Sequence, residues 1–252
     1  MSNKFRILKT LLCVFLVTAL AIAFAGCKDK TEKQTEKISG KLFSDRHIEE
    51  KYKDPDGKVA FKVDYILPEL DEKENQRYSA FNRIMDAIES ESQSNAKTVI
   101  ANKLFEKGKP WKETGGYTVP YASYRYVSVL IEIQREASSG SVSTNYTPVT
   151  FALDDCKQCS LSQFAKVSSD YLQTQLAKAL MSKISESGGS APELAAVRSS
   201  FDLTSFIFTP DGFTIYFTNS SISGFSGIEE CYDFTFDEVS NLLQLPNQPT
   251  KQ

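Results

Sequence analysis

The cysteines carry the most chemistry in this chain, and their neighbours sort them by task. Cys27 directly follows Ala25 and Gly26, small residues that end an apolar run over 11–25. Lys4, Arg6 and Lys9 precede that run. A basic segment, an apolar segment and small residues before a cut are the parts of a secretory signal. With cysteine immediately after the small pair, the pattern resembles a bacterial lipobox, although Phe24 stands where leucine is usual. The thiol would take a diacylglycerol group and become the first residue of the mature chain. The apolar run is about 15 residues, short of the roughly 20 that span a bilayer as a helix. Residues 1–26 are therefore expected to be a removable signal and Cys27 the lipidation site. Each buried methylene adds about 0.8 kcal/mol, so two or more acyl chains hold a protein on a membrane face almost permanently.

Cys13 would leave with the signal, and Cys156, Cys159 and Cys231 would remain. The spacing of Cys156-Lys157-Gln158-Cys159 is that of a redox pair, but such a pair needs a helix N-terminus to lower its thiol pKa. Here it follows a strand-like run over 149–153 and reads as a turn. In an oxidising compartment a Cys156–Cys159 disulfide closing that turn is the first expectation. A bridge from Cys231 to either cysteine comes second, and redox or metal chemistry third.

The remaining polar groups do not assemble into a catalytic set. His47 is the single histidine and lies in a charged stretch, which excludes histidine-based zinc clusters and argues against a Ser-His-Asp triad. Asp154-Asp155 and Glu229-Glu230 are adjacent pairs, and strand neighbours point to opposite faces. No GxSxG elbow or phosphate-cradling loop is present. No cofactor is implied. With 29 Lys and Arg against 32 Asp and Glu, the formal net charge is −3, and no basic stripe suits nucleic acid.

Aromatic residues are better candidates for recognition. Tyr124 and Tyr126 are expected on one strand face, beside Tyr121 and with Arg125 on the other face. Tyrosine and arginine are favoured in binding hot spots. The commoner use of such a cluster is cross-strand packing. Phe225 stands between Gly224 and Gly227, either as an exposed binding tip or as a tight connection with the ring turned inward.

These side chains need elements to hold them. Residues 28–40 are polar and aperiodic and read as a tether. Residues 58–67 alternate as a strand, with Pro68 expected to end it. A helical stretch runs over about 74–107, with Phe81, Ile84, Met85 and Ile88 on one face and a polar middle at 89–96 that reads either as a break or as an exposed arc. Gly108, Pro110 and Gly115-Gly116 read as punctuation closing this first part. Strands follow around 117–135 and 146–153, then a helix over 168–185 with Leu172, Leu176, Leu180 and Ile184 at helical spacing. A hairpin over 205–217 turns at Pro210-Asp211-Gly212. A short strand at 231–236 and a helix at 238–243, capped by Asp237, close the chain. The elements lack a βαβ rhythm, so the expected class is α+β, a mixed or antiparallel sheet with packed helices.

In this order the elements resemble the DUF3298 domain, an RsiV-like extracytoplasmic module. The likeness is carried by the Phe206-Ile207-Phe208-Thr209-Pro210-Asp211-Gly212-Phe213 hairpin, the Gly224 to Gly227 loop, and the ending Phe236-Asp237-Glu238-Val239 with Leu242-Leu243. Phe151-Ala152-Leu153-Asp154 and Leu161-Ser162-Gln163-Phe164 match upstream parts of that domain. Ile66-Leu67-Pro68-Glu69-Leu70 and Phe81-Asn82-Arg83-Ile84 are similar to a companion DUF4163 segment. The resemblance divides the chain into a signal at 1–26, a tether at 27–43, a DUF4163-like segment at 44–116, a DUF3298-like domain at 117–245 and a tail at 246–252.

The resemblance implies a non-enzymatic binding module anchored in the bacterial envelope and facing outside the cytoplasm. Its partners would be the membrane, through the anchor, and a lysozyme-like protein or peptidoglycan fragments. An enzyme of envelope glycans and a structural or assembly lipoprotein are the competing classes. The family's glycine- and histidine-bearing loop would fall near 137–142, where this chain has neither the histidine nor paired glycines. That shifts the expected contact to Gly224, Phe225 and Gly227, with Tyr124 and Tyr126 beside them.

Overall fold

Alternating side-chain direction along the strands gives the larger sheet two faces of very different character. The computed structural model describes residues 42–190, 193–217 and 231–246. Phe43–Lys53 (β1), Val59–Leu70 (β2), Trp111–Ala122 (β3), Tyr126–Glu136 (β4), Val142–Ala152 (β5) and Lys157–Gln158 (β6) form one sheet in sequence order. All neighbours pair antiparallel except β2 and β3, which are parallel. A parallel pair needs a crossover, and Ser79–Ala101 (α1) supplies it. The class is α+β with a mixed sheet, as the sequence implies.

One sheet face is apolar because residues two apart share a face. Phe61, Val63, Tyr65 and Leu67 of β2 join Val127, Val129 and Ile131 of β4 and Val149 and Phe151 of β5, all buried in one cluster. Helix α1 covers it with Phe81, Met85, Ile88, Ala96 and Val99. Fully burying side chains of this size contributes roughly 1.5–3 kcal/mol each. The polar stretch at 89–96 does not break the helix, which leaves the second of the two expectations, although the stretch is not wholly exposed. Ser92 and Ala96 are themselves buried, because small residues there let the helix approach a polar group on β3.

Among the described residues the other face is covered at one end only. Phe206–Thr209 (β7), Gly212–Tyr216 (β8) and Cys231–Thr235 (β9) make a three-stranded antiparallel sheet. Strand β7 docks on β4 and β5: the Ser128 Oγ accepts from the Phe208 amide at 2.8 Å, and the Thr150 Oγ1 donates to the Phe206 carbonyl at 2.8 Å. Ser169–Glu186 (α2), Leu194–Ser199 (α3) and Phe236–Val239 (α4) enclose a second core around Leu172, Leu176, Leu180, Ile184 and four phenylalanines of β7 to β9. Gly212 begins β8 because a Cβ there would lie 1.9 Å from the Phe234 carbonyl oxygen. Among the described residues no helix is long and apolar enough to cross a membrane.

Several expected boundaries move for identifiable reasons. Strand β2 runs through Pro68 to Leu70, because β3 pairs only with Phe61 to Tyr65 and Pro68 faces β1 alone. Strand β1 occupies what reads as a solvated charged stretch, since only Ile48 along it is buried. The Gly115-Gly116 pair lies inside β3 rather than closing a part, so the division at 116/117 is not a break in the sheet. Thr235, not Asp237, caps α4, through a capping box with Glu238.

Candidate functional site

The most concentrated polar chemistry sits beneath α1, around a glutamate that sequence reasoning did not single out. Glu113 is 1% exposed. Its Oε2 accepts from the Tyr65 hydroxyl and, at 2.6 Å, from the Ser92 Oγ. Its Oε1 accepts from Arg135 Nε at 2.5 Å and from Asn95 Nδ2 at 3.3 Å. Four donors match the roughly four lone-pair sites of a carboxylate. The group is thus fully engaged, tying α1 to β2, β3 and β4, with no acceptor left for a substrate. Burial, and then the hydrogen bond to Glu113, push the Tyr65 hydroxyl well above the usual tyrosine range. The one sequence signal was a glutamate alternating with tryptophan before paired glycines.

The tyrosine cluster separates. Tyr121 and Tyr126 pack edge-on against Phe208, with ring centroids 5.6 and 6.0 Å away, and Tyr126 also meets Phe164 at 5.7 Å. These two rings belong to the second core. Tyr124 does not share their face: it sits in the β3–β4 turn and is 83% exposed. The turn is braced by Ser123, whose hydroxyl accepts from the Tyr126 amide at 3.0 Å, and by an Arg125–Asp154 ion pair at 3.1 Å. Tyr124 is therefore a large ring presented on a held hairpin tip.

Among the described residues, the same sheet face is open beyond the footprint of β7. A groove of about 400 Å³ runs over β3 and β4, lined by Thr114, Gly116, Thr118, Leu130, Glu132 and Gln134. Glu132 stands opposite Tyr146 of β5, whose ring lies 5.9 Å from that of Tyr216 on β8. Tyr146 thus links this part of the sheet to β8, the middle strand of the second sheet. Burial and the neighbouring Cys231 push the Tyr216 hydroxyl far up.

The expected disulfide is not formed: Cys156 and Cys159 are both free thiols. Cys156 takes a positive φ of 52° and packs in the core under α1, where its Sγ donates to the Leu153 carbonyl at 3.1 Å. Cys159 packs in the other core. The intervening Lys157 and Gln158 pair with Ala152 and Phe151 as β6, which spreads the two thiols to separate clusters. Burial pushes the Cys159 thiol up to about 12, the opposite of a redox cysteine. Cys231 too is a thiol and not a disulfide, and it adjoins the Tyr216 hydroxyl.

The adjacent carboxylates make no acid/base pair. Asp154 pairs with Arg125, and Asp155 lies 3.3 Å from Lys157. Among the described residues no three His, Cys, Asp or Glu side chains gather as metal ligands. Cys27, Gly224, Phe225, Gly227 and the Glu229-Glu230 pair lie outside the described residues.

No family model and no curated protein matches the chain. Two solved structures similar to it are DUF3298-family proteins. The one from Bacteroides fragilis is 11% identical, with 81% of this chain and 93% of that chain covered and a TM-score of 0.49. The one from Pseudomonas aeruginosa is 10% identical, with 81% and 95% covered and a TM-score of 0.47.

Proposed function

We propose that this chain is a lipid-anchored, non-enzymatic binding protein of the bacterial envelope, facing outside the cytoplasm. The observation that carries this reading is Cys27 directly after Ala25-Gly26 at the end of a short apolar run. The order of motifs resembling DUF4163 and DUF3298 supports a binding module rather than a catalyst. The most buried carboxylate among the described residues, Glu113, is occupied by four donors, and an engaged carboxylate is a poor general base. The ligand is a lysozyme-like protein or a peptidoglycan fragment. Tyr124 on its hairpin tip contacts it, with Phe225 between Gly224 and Gly227 as the second aromatic.

The test is calorimetric titration of the protein with a lysozyme and, separately, with soluble muropeptides. Binding of one of them, weakened by at least about 1 kcal/mol in Tyr124→Ala with no change in melting temperature, supports the reading. Absence of binding to both, or binding indifferent to Tyr124 and Phe225 substitutions, contradicts it. Tyr126→Ala serves as the contrast, since loss of a ring packed on Phe164 and Phe208 lowers stability instead.

A further inference from the structure

Strand β1 is the edge of the six-stranded sheet, and among the described residues no strand pairs with it on the side away from β2. Eleven residues of open edge invite a further strand. Edge strands often carry charge of one sign, which repels a second copy. This one carries three acidic residues, Asp45, Glu49 and Glu50, and three basic ones, Arg46, Lys51 and Lys53.

Their order reads in reverse with opposite sign about Ile48. From the charge pattern we infer that two copies of this chain pair through β1, antiparallel, with the two-fold axis at Ile48. In that register Asp45 meets Lys51 of the second copy, Arg46 meets Glu50, His47 meets Glu49, and Ile48 meets itself. Opposite charges directly across an antiparallel pair stabilise it and like charges destabilise it. Both sheet faces are matched, because residues opposite each other share a face. The contact is isologous and closes after two copies.

Neighbouring registers are each opposed. A slip of one residue sets Arg46 against Lys51 or Asp45 against Glu50, and also turns each apolar face towards the wrong side. A slip of two sets Glu49 against itself or Asp45 against Glu49. Among the registers within two residues of it, only the one centred on Ile48 has no like-charge pair. A second observation concerns Arg46. Its Nη1 donates to Asp86 at 2.7 Å, but Nε and Nη2 have no hydrogen-bond acceptor among the described residues. Nη2 is 3.7 Å from Glu89. The second copy's Glu50 brings another carboxylate to this arginine.

The experiment is native mass spectrometry of the full chain released from detergent, over a concentration series, with charge-reversal variants. Lys51 is exposed and holds only Glu49 of its own strand, so Lys51→Glu leaves the fold intact, which circular dichroism checks. The unaltered chain gives a dimer, and Lys51→Glu raises its dissociation constant at least about tenfold, since both symmetric Asp45–Lys51 pairs become repulsive. The double variant Asp45→Lys/Lys51→Asp restores the pairs across the axis and returns the constant to within about threefold of the original. A chain that stays monomeric up to about 100 µM, a dimer indifferent to Lys51→Glu, or failure of the double variant to recover association overturns the inference.

Discussion

The Tyr65 hydroxyl reaches the Glu113 carboxylate diagonally across the parallel β2–β3 pair, and Gly115 makes the room for it. Val63 is the register partner of Glu113, and Tyr65 stands opposite Gly115. A Cβ on Gly115 would lie 2.8 Å from Tyr65 Cδ1 and 3.3 Å from Ile133 Cγ1. The missing side chain lets the ring lie flat over β3 with its hydroxyl at the carboxylate. Two residues of β3 and one of β2 thus form one packing unit, which Ser92 and Asn95 of α1 and Arg135 of β4 complete.

Removing the centre of this unit leaves Arg135 and three neutral donors without their acceptor. Glu113→Ala is expected to cost about 3–5 kcal/mol, the range for breaking a buried charge pair by deleting one partner. Gly115→Ala should cost about 1–3 kcal/mol through overpacking against Tyr65. Denaturant unfolding measures both. A loss below about 1 kcal/mol for Glu113→Ala would mean that α1 is held by its apolar face alone.

Alkaline pH should destabilise the fold. Burial, reinforced by Glu113, raises the Tyr65 hydroxyl, and burial with Cys231 raises that of Tyr216. Burial and the bond to Asp45 push Tyr117 up to about 12. Each group keeps its proton in the folded chain at a pH where the unfolded chain, with tyrosines near 10, has begun to lose it. The folded state then binds more protons, and the linkage slope of unfolding free energy against pH is negative. Stability is full below about pH 10 and falls above it as pH rises towards the folded values. Urea midpoints at pH 8, 10 and 11, with tyrosinate absorbance at 295 nm, check this. A midpoint unchanged between pH 8 and 11 would contradict it.

The elements that sequence made legible are those whose burial is one-sided and periodic. Leu172, Leu176, Leu180 and Ile184 mark α2, and Phe206 to Tyr216 mark the β7–β8 hairpin around a turn that Gly212 must occupy. Strand β1 was illegible because an edge strand with one buried residue has almost no hydrophobic alternation. The continuity of α1 was hidden for a related reason: Ser92 faces inward to bond Glu113, so a polar residue marks a core position. The Glu113 centre itself needs β2, β3, β4 and α1 together, and no local spacing announces a contact between Tyr65 and a glutamate 48 residues away. Tyr124 and Tyr126 look equivalent in sequence, and only the position of the turn sends one to solvent and the other to Phe208.

The thiols provide an independent check on the two-core arrangement. With Cys156 in one core and Cys159 in the other, neither should react with a thiol reagent at pH 8 in the folded protein, and both should react on unfolding. Partly exposed Cys231 should react first. Mass mapping of the unreduced protein should find all three unlinked. A Cys156–Cys159 peptide bridge would show that β6 does not hold its flanking thiols apart.

The address of the protein rests on Cys27, and one labelling experiment tests it directly. Cells expressing the full chain are fed a radioactive fatty acid, and the protein is compared with Cys27→Ser. The account predicts label on the unaltered chain, none on the variant, and accumulation of the variant as an uncut precursor. Label persisting on Cys27→Ser, or an unaltered chain that is cut and secreted without label, would contradict the lipid anchor and with it the proposed place of action.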